Sequence, residues 1–174
     1  VMARWLHRPP LPDTGATAPD EEGKLDVAIT YLEQYERPTQ AAPHPPPGQR
    51  VALMRAVQPT VSFYRYLYNT VGAPWLWWER RALNDAALAR ILHDDRVEVY
   101  VLYVDGVPAG FGELDRRGAP VVNIALLGLI PEFRGRGLGS YLLWSMLEIA
   151  WAEDPSKITV STCSLDDPRA LPMY

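Results

Sequence analysis

Cysteine is nearly missing from this 174-residue chain: Cys163 stands alone, so no internal disulfide can form and no thiol cluster exists for a metal. That pattern points to a reducing, cytoplasmic setting and to no metal cofactor. Uninterrupted apolar runs of about 18 residues, the length a membrane-spanning helix needs, are missing as well. Residues 1–24 lack the apolar stretch of a signal peptide, so no membrane partner is expected. Basic clusters are also wanting; the net charge is −4 and the arginines are scattered, which argues against a nucleic-acid partner. Histidine is scarce, and His7, His44 and His93 fall in the front segment, a proline loop and a predicted helix end, where none is an evident catalytic base.

What the chain does have is enough apolar sequence (48%) for one sizeable core. Ten of its 17 prolines lie within the first 59 residues, in blocks such as "RPPLP" and "PHPPPG" that exclude regular helix. Residues 1–24 show no period and read as an extended N-terminal arm; residues 25–174 read as one domain. Strand formers at 26–36 and 50–57 predict two early strands. Helices are expected at 60–72, ending at Gly72 with Pro74 beyond, and at 84–95 behind an Asn84 cap. "VEVYVLYVDGVPAGFGELDRR" at 97–117 is a hairpin around an Asp-Gly turn, and a third strand follows at 121–130. A helix at 138–152, a strand at 157–164 and the start of another helix in "DDPRALPMY" complete the order. Three meandering strands followed by a strand–helix–strand crossover predict an α/β (α+β) fold with a mixed sheet.

The chemistry concentrates in "IPEFRGRGLGSYLL", where glycines separate a strand from a helix. Bare backbone and a helix's unpaired first-turn amides suit phosphate oxygens. A dinucleotide fingerprint starting at Gly135 would need glycine or alanine where Ser140 stands, and the motif normally opens a fold rather than arriving this late. A Walker-type phosphate loop fails because no lysine occupies the required place.

The remaining pattern, R-x-x-G-x-G at Arg134, Gly137 and Gly139, resembles the coenzyme A loop of the GNAT superfamily of N-acetyltransferases. The element order over roughly residues 50–174 is similar to that family's, and "DPRALPMY" stands where members carry Asn-x-x-Ala-x-x-x-Tyr, with Asp167 in place of Asn and Ala170 and Tyr174 matching. The resemblance implies a GNAT-like sheet in which an antiparallel meander is joined by a splayed parallel strand pair. It implies acetyl-CoA as cosubstrate, its pyrophosphate cradled by Arg134, Gly135, Arg136, Gly137, Leu138 and Gly139, with Asp167 nearby and backbone groups at Leu127 and Leu129 pairing with the pantetheine arm. It implies acetyl transfer to a small-molecule or peptide amine by direct attack in a ternary complex, with Tyr174 as the acid that serves the leaving thiolate.

Many relatives place a glutamate on the strand before the loop, and "VVNIALLGL" has none. Glu113, on the preceding strand, is the carboxylate expected to act instead, through water, with Asn123 as a residue that can orient that water. The missing glutamate and the proline-rich arm keep a second reading open, a non-catalytic acyl-CoA sensor or partner-binding domain. Seven aromatic residues between Phe63 and Trp78 can wall an acceptor pocket or simply fill the core. Cys163 reads as a small buried residue rather than a nucleophile. A homodimer is compatible with all of this. The family pattern continues with one more strand after the tyrosine, so that strand is expected either beyond Tyr174 or from elsewhere in the chain.

Overall fold

The computed structural model describes residues 6–7, 19 and 21–174. Most of the expected N-terminal arm therefore lies outside the described residues. Strands β1 (Leu6–His7), β2 (Ile29–Gln34), β3 (Val51–Ala56), β4 (Val97–Val104), β5 (Val107–Asp115), β6 (Val121–Leu129) and β7 (Lys157–Cys163) form one sheet in the order β1-β2-β7-β6-β5-β4-β3. Helices α1 (Val61–Gly72), α2 (Asp85–Leu92), α3 (Leu138–Trp151) and α4 (Ala170–Met173) connect or flank them. Every pairing is antiparallel except β6 with β7, the pair joined by the α3 crossover.

Local chemistry sets the boundaries. The Thr60 and Asn84 side chains accept hydrogen bonds from the amides of Phe63 and Ala87, capping α1 and α2. Asp105 and Gly106 both take positive φ at the β4–β5 turn, as a tight hairpin requires.

Alternation along the strands divides the core between two faces. Val99, Val101 and Phe111 pack with Tyr64, Leu67, Tyr68 and Val71 of α1 and with Leu88 and Leu92 of α2. On the other face Leu102, Leu114, Ile124 and Ile158 pack against α3, where Leu138, Leu142, Met146 and Ala150 are fully buried. Burying a leucine-sized side chain in this way contributes about 1.5–3 kcal/mol.

The edge of β7 that faces away from β6 is paired with a strand from early in the sequence. β2 pairs with β7 from Ile29↔Cys163 to Gln34↔Ile158, and the buried Trp151 Nε1–H of α3 donates to Gln34 Oε1 at 2.8 Å.

β6 and β7 diverge, and the register explains why. Their ladder runs from Val121↔Lys157 to Ile124↔Val160 and stops, although β6 continues to Leu129 and β7 to Cys163. Against β5, Glu113 pairs with Leu126 and Leu114 with Ile124, which leaves Ala125 as an extra residue. Such a bulge bends and twists its strand. Here it turns β6 away from β7 at the point where their pairing ends.

Candidate active site

The wedge between the two strands opens a cleft of about 370 Å³. Its floor is Ile124 to Leu129 of β6; Val160 and Ser161 of β7 form one side, and Val71, Trp75 and Trp77 another. The loop before α3 and the segment from Asp166 to Tyr174 close the remaining sides. The Ile130 amide donates back to Ala109 O of β5 at 2.8 Å. Because peptide groups alternate along a strand, those of Leu129 and Leu127 face away from β5, into the wedge. β7 does not reach them there, so the Leu127 groups and the Leu129 amide are open to an extended ligand, while Leu129 O accepts from Arg134 Nε at 3.4 Å.

At the end of the wedge stands the loop of residues 134–139. Gly135 and Gly137 hold φ of 75° and 77°, the left-handed region that side chains disfavour, and Gly137 is the residue from which α3 starts. No side chain caps that helix start. Its first amides are accordingly available to an anion, with the favourable end of the helix dipole behind them. Arg134 lies over the Trp75 ring, 4.9 Å from its centroid, and its Nε–H reaches Leu129 O at 3.4 Å. Its Nη2 is buried with no hydrogen-bond partner. A buried cationic donor left unpaired is costly, and an anionic oxygen in the cleft would remove that cost. The Arg136 guanidinium lies over Phe133 at 5.3 Å, outside the cleft lining. Leu138 is fully buried, so it serves the loop through its backbone.

Of the other expected site residues, Asp167 and Tyr174 line the cleft and Glu113 does not. Asp167 is engaged by Arg169, which donates from Nη2 at 2.6 Å and from Nε at 2.9 Å and holds the carboxyl down to about 2. Tyr174 is half-buried in the cleft wall. Burial, and then the Asp166 charge, push its phenol above the ordinary value, so the hydroxyl keeps its proton at neutral pH.

Glu113 is a correction to the expected base. Its side chain is fully buried between β5 and α1, where Oε2 accepts from Tyr64 Oη at 2.5 Å and Oε1 from Arg80 Nη2 at 2.6 Å. Both oxygens are occupied, and Glu113 is not among the residues that line the cleft. Asn123 is likewise displaced from the site, accepting from Thr159 Oγ1 at 3.0 Å on the paired part of the sheet. Cys163 is half-buried, and burial raises its thiol, the opposite of what a nucleophile needs. His93 meets Pro59 O at 3.2 Å, far along the chain from any cleft residue. Among the described residues, no three His, Cys, Asp or Glu side chains come together as a metal site, and no helix is long and apolar enough to cross a membrane.

The aromatic segment divides between both expected roles. Tyr64, Tyr68 and Phe111 interlock in the core, with Trp77 tilted against them, its ring centroid 5.4 Å from that of Tyr68. Trp77 and Trp75 then present ring surface to the cleft, whereas Trp78 is exposed.

Asp166 was not singled out in the sequence. Its Oδ1 accepts from Trp77 Nε1 at 3.2 Å, and Oδ2 accepts from Thr162 Oγ1 at 2.8 Å and from the Cys163 amide at 2.9 Å. It sits one position before the residue that the family pattern marks, and nothing in "SLDDPR" separates two adjacent aspartates until the loop is folded.

Comparison with known proteins agrees with this geometry. The model of the Acetyltransferase (GNAT) family matches residues 61–174. No curated protein matches the sequence of the chain. Among solved structures, the fold is similar to an aminoglycoside acetyltransferase from an uncultured soil metagenomic sample, in complex with trehalose (TM-score 0.58, 15% identity, 71% of this chain and 84% of that one). It is also similar to the aminoglycoside N-acetyltransferase AAC(6')-Iy in complex with CoA (0.52, 22%, 74% and 85%). A third is the PaiA N-acetyltransferase of Thermoplasma acidophilum in complex with coenzyme A (0.51, 14%, 61% and 75%). At these identities the likeness is one of fold.

Proposed function

Because the chain belongs to the GNAT acetyltransferase family, we propose that it transfers the acetyl group of acetyl-CoA to a primary amine, by direct attack within a ternary complex. The observation that carries this reading is the buried, unpartnered Arg134 Nη2 beside the uncapped start of α3, at one end of a cleft whose floor offers unpaired peptide groups. Together these suit a ligand with an anionic head and an amide-bearing arm. Solved relatives of the same fold, in complex with CoA, support the same choice of cosubstrate.

When bound, acetyl-CoA supplies a thioester carbonyl for attack. Arg134 and the amides of residues 136–139 would hold the pyrophosphate, while Leu127 and Leu129 would hydrogen-bond the pantetheine arm through their backbones. Asp167, kept ionised by Arg169, orients that arginine at the cleft wall. The reacting carbon would lie near the bulge at Ala125, where the pairing of β6 with β7 stops. Tyr174 donates its phenolic hydrogen to the departing sulfur as the C–S bond breaks and the new C–N bond forms. The amine's second proton leaves through water or a cleft carboxylate. Glu113 takes no part in this transfer.

The test measures acetyl-CoA binding by calorimetry and amine-dependent thiol release in the same preparation. Gly137→Glu places a carboxylate in the cradle and a side chain at φ 77°, and should weaken acetyl-CoA binding more than tenfold, roughly 1.4 kcal/mol or more. Equal affinity in that variant would refute the cradle. Binding without thiol release across a broad amine panel would leave an acyl-CoA sensor as the reading instead.

A further inference from the structure

The charges of the cleft are equal in number but not paired alike. Its lining contains two carboxylates, Asp166 and Asp167, and two guanidinium groups, Arg134 and Arg169. Asp167 is neutralised by the two-point contact from Arg169. Asp166 is held differently, since Trp77 Nε1–H, Thr162 Oγ1–H and the Cys163 amide are all neutral donors. Among the described residues it forms no salt bridge. No cation is paired with it, and with three of about four acceptor positions filled it has room for one more donor on Oδ1.

The surroundings of that charge are apolar. Trp77, whose indole N–H reaches Asp166, belongs to the same wall as Val71 and Trp75, and Leu126 faces them from the floor. The carboxylate also lies near enough to Tyr174 for its charge to bear on the phenol. One anion, the Trp77 indole bonded to it and the proposed proton donor thus lie together in the cleft.

We infer that Asp166 anchors the ammonium of the acceptor and takes its proton, directly or through one water, and that the acceptor is a monoamine with an aromatic or apolar body rather than a polycation. This rests on the transferase reading above. A polycation would bring several ammonium groups to a cleft with a single unneutralised carboxylate, whereas one ammonium next to indole rings gains both the ion pair and cation–π contact. The ammonium loses one proton to Asp166, which passes it to solvent, and becomes the attacking amine; Tyr174 gives its proton to the leaving sulfur, and the second nitrogen proton, lost through water as the amide forms, restores the phenol.

The experiment compares thiol release by the full chain with phenylethylamine and an aliphatic monoamine against spermidine and an aminoglycoside. The aromatic monoamine should show the highest kcat/KM. Asp166→Asn keeps the shape and an acceptor for Trp77 but removes the charge. It should raise KM for the monoamine roughly 10- to 100-fold and shift the pH profile of kcat/KM upward, with acetyl-CoA affinity within twofold of wild type. Asp166→Glu should restore part of the loss. A wild-type preference for spermidine or the aminoglycoside overturns the inference without touching the transferase reading, and this comparison needs no variant to fold. An unchanged KM in Asp166→Asn also overturns it. Acetyl-CoA binding with no transfer to any amine removes both.

Discussion

Glu113→Gln separates a proton-transfer role from a structural one, because the two roles predict opposite signatures. The carboxylate has no solvent exposure, and the Arg80 side chain that donates to it is only 16% exposed. Neutralising Glu113 leaves that guanidinium partly buried without a counter-ion and weakens the acceptor for Tyr64 Oη. Removing one partner of a buried ion pair costs about 3–5 kcal/mol; an isosteric amide, which still accepts hydrogen bonds, belongs at the lower end, near 3 kcal/mol. For a domain of this size each kcal/mol moves the unfolding midpoint about 2–4 °C, so a fall of roughly 6–12 °C is expected. Thermal and urea unfolding followed by tryptophan fluorescence would read it, since Trp77 packs on the edge of the same cluster. Arg80→Met in the Glu113→Gln background should recover part of the loss by removing the stranded cation. Below the melting range, kcat for thiol release should stay within about threefold of wild type. A hundredfold drop in kcat with an unchanged midpoint would show that Glu113 handles protons after all.

Two further substitutions probe the cleft. Tyr174→Phe should lower kcat by roughly 10²- to 10⁴-fold while leaving the acetyl-CoA Kd within twofold, as expected of a proton donor; parallel losses in both would point to a packing role. Arg134→Gln removes the unpartnered cation and should raise the acetyl-CoA Kd roughly 10- to 100-fold, the worth of a charge-assisted hydrogen bond, with a weaker dependence of Kd on salt. Titration at two ionic strengths checks both parts, and an unchanged Kd would mean that the arginine does not touch the ligand's phosphates.

Much of the fold was legible because its signals are local. Caps at Thr60 and Asn84, the Asp-Gly hairpin and the apolar α3 each act within a few residues, and each boundary fell within three residues of its expected place. The glycine loop was legible for the same reason, since the positive φ at Gly135 and Gly137 is a property of those two positions. What sequence could not reveal was long-range. Glu113 and Arg80 are 33 positions apart, and nothing near either announces that they meet in the core. Asp166 and Trp77 meet only because β7 returns beside β6, and neither residue has a local signature. Glu113 is the carboxylate on the strand next to β6, and its burial, a property of the assembled layers, has no signal in the residues beside it.

The pairing of β2 with β7 also bears on how the chain acquires its shape. As synthesis proceeds from the N-terminus, residues 29–34 emerge early, yet the edge they complete does not exist until residues 157–163 have followed and α3 has crossed over the sheet. Until then the edge of β2 that pairs with β7 lacks its native partner, and the Leu32 side chain lacks the core it packs into. A strand made before β7 is thus among the last to dock, closing a loop from Gln34 to Ile158, and such non-local pairing is the kind that slows folding. The wall of the cleft formed by β7 is fastened from outside by a strand that must wait for it.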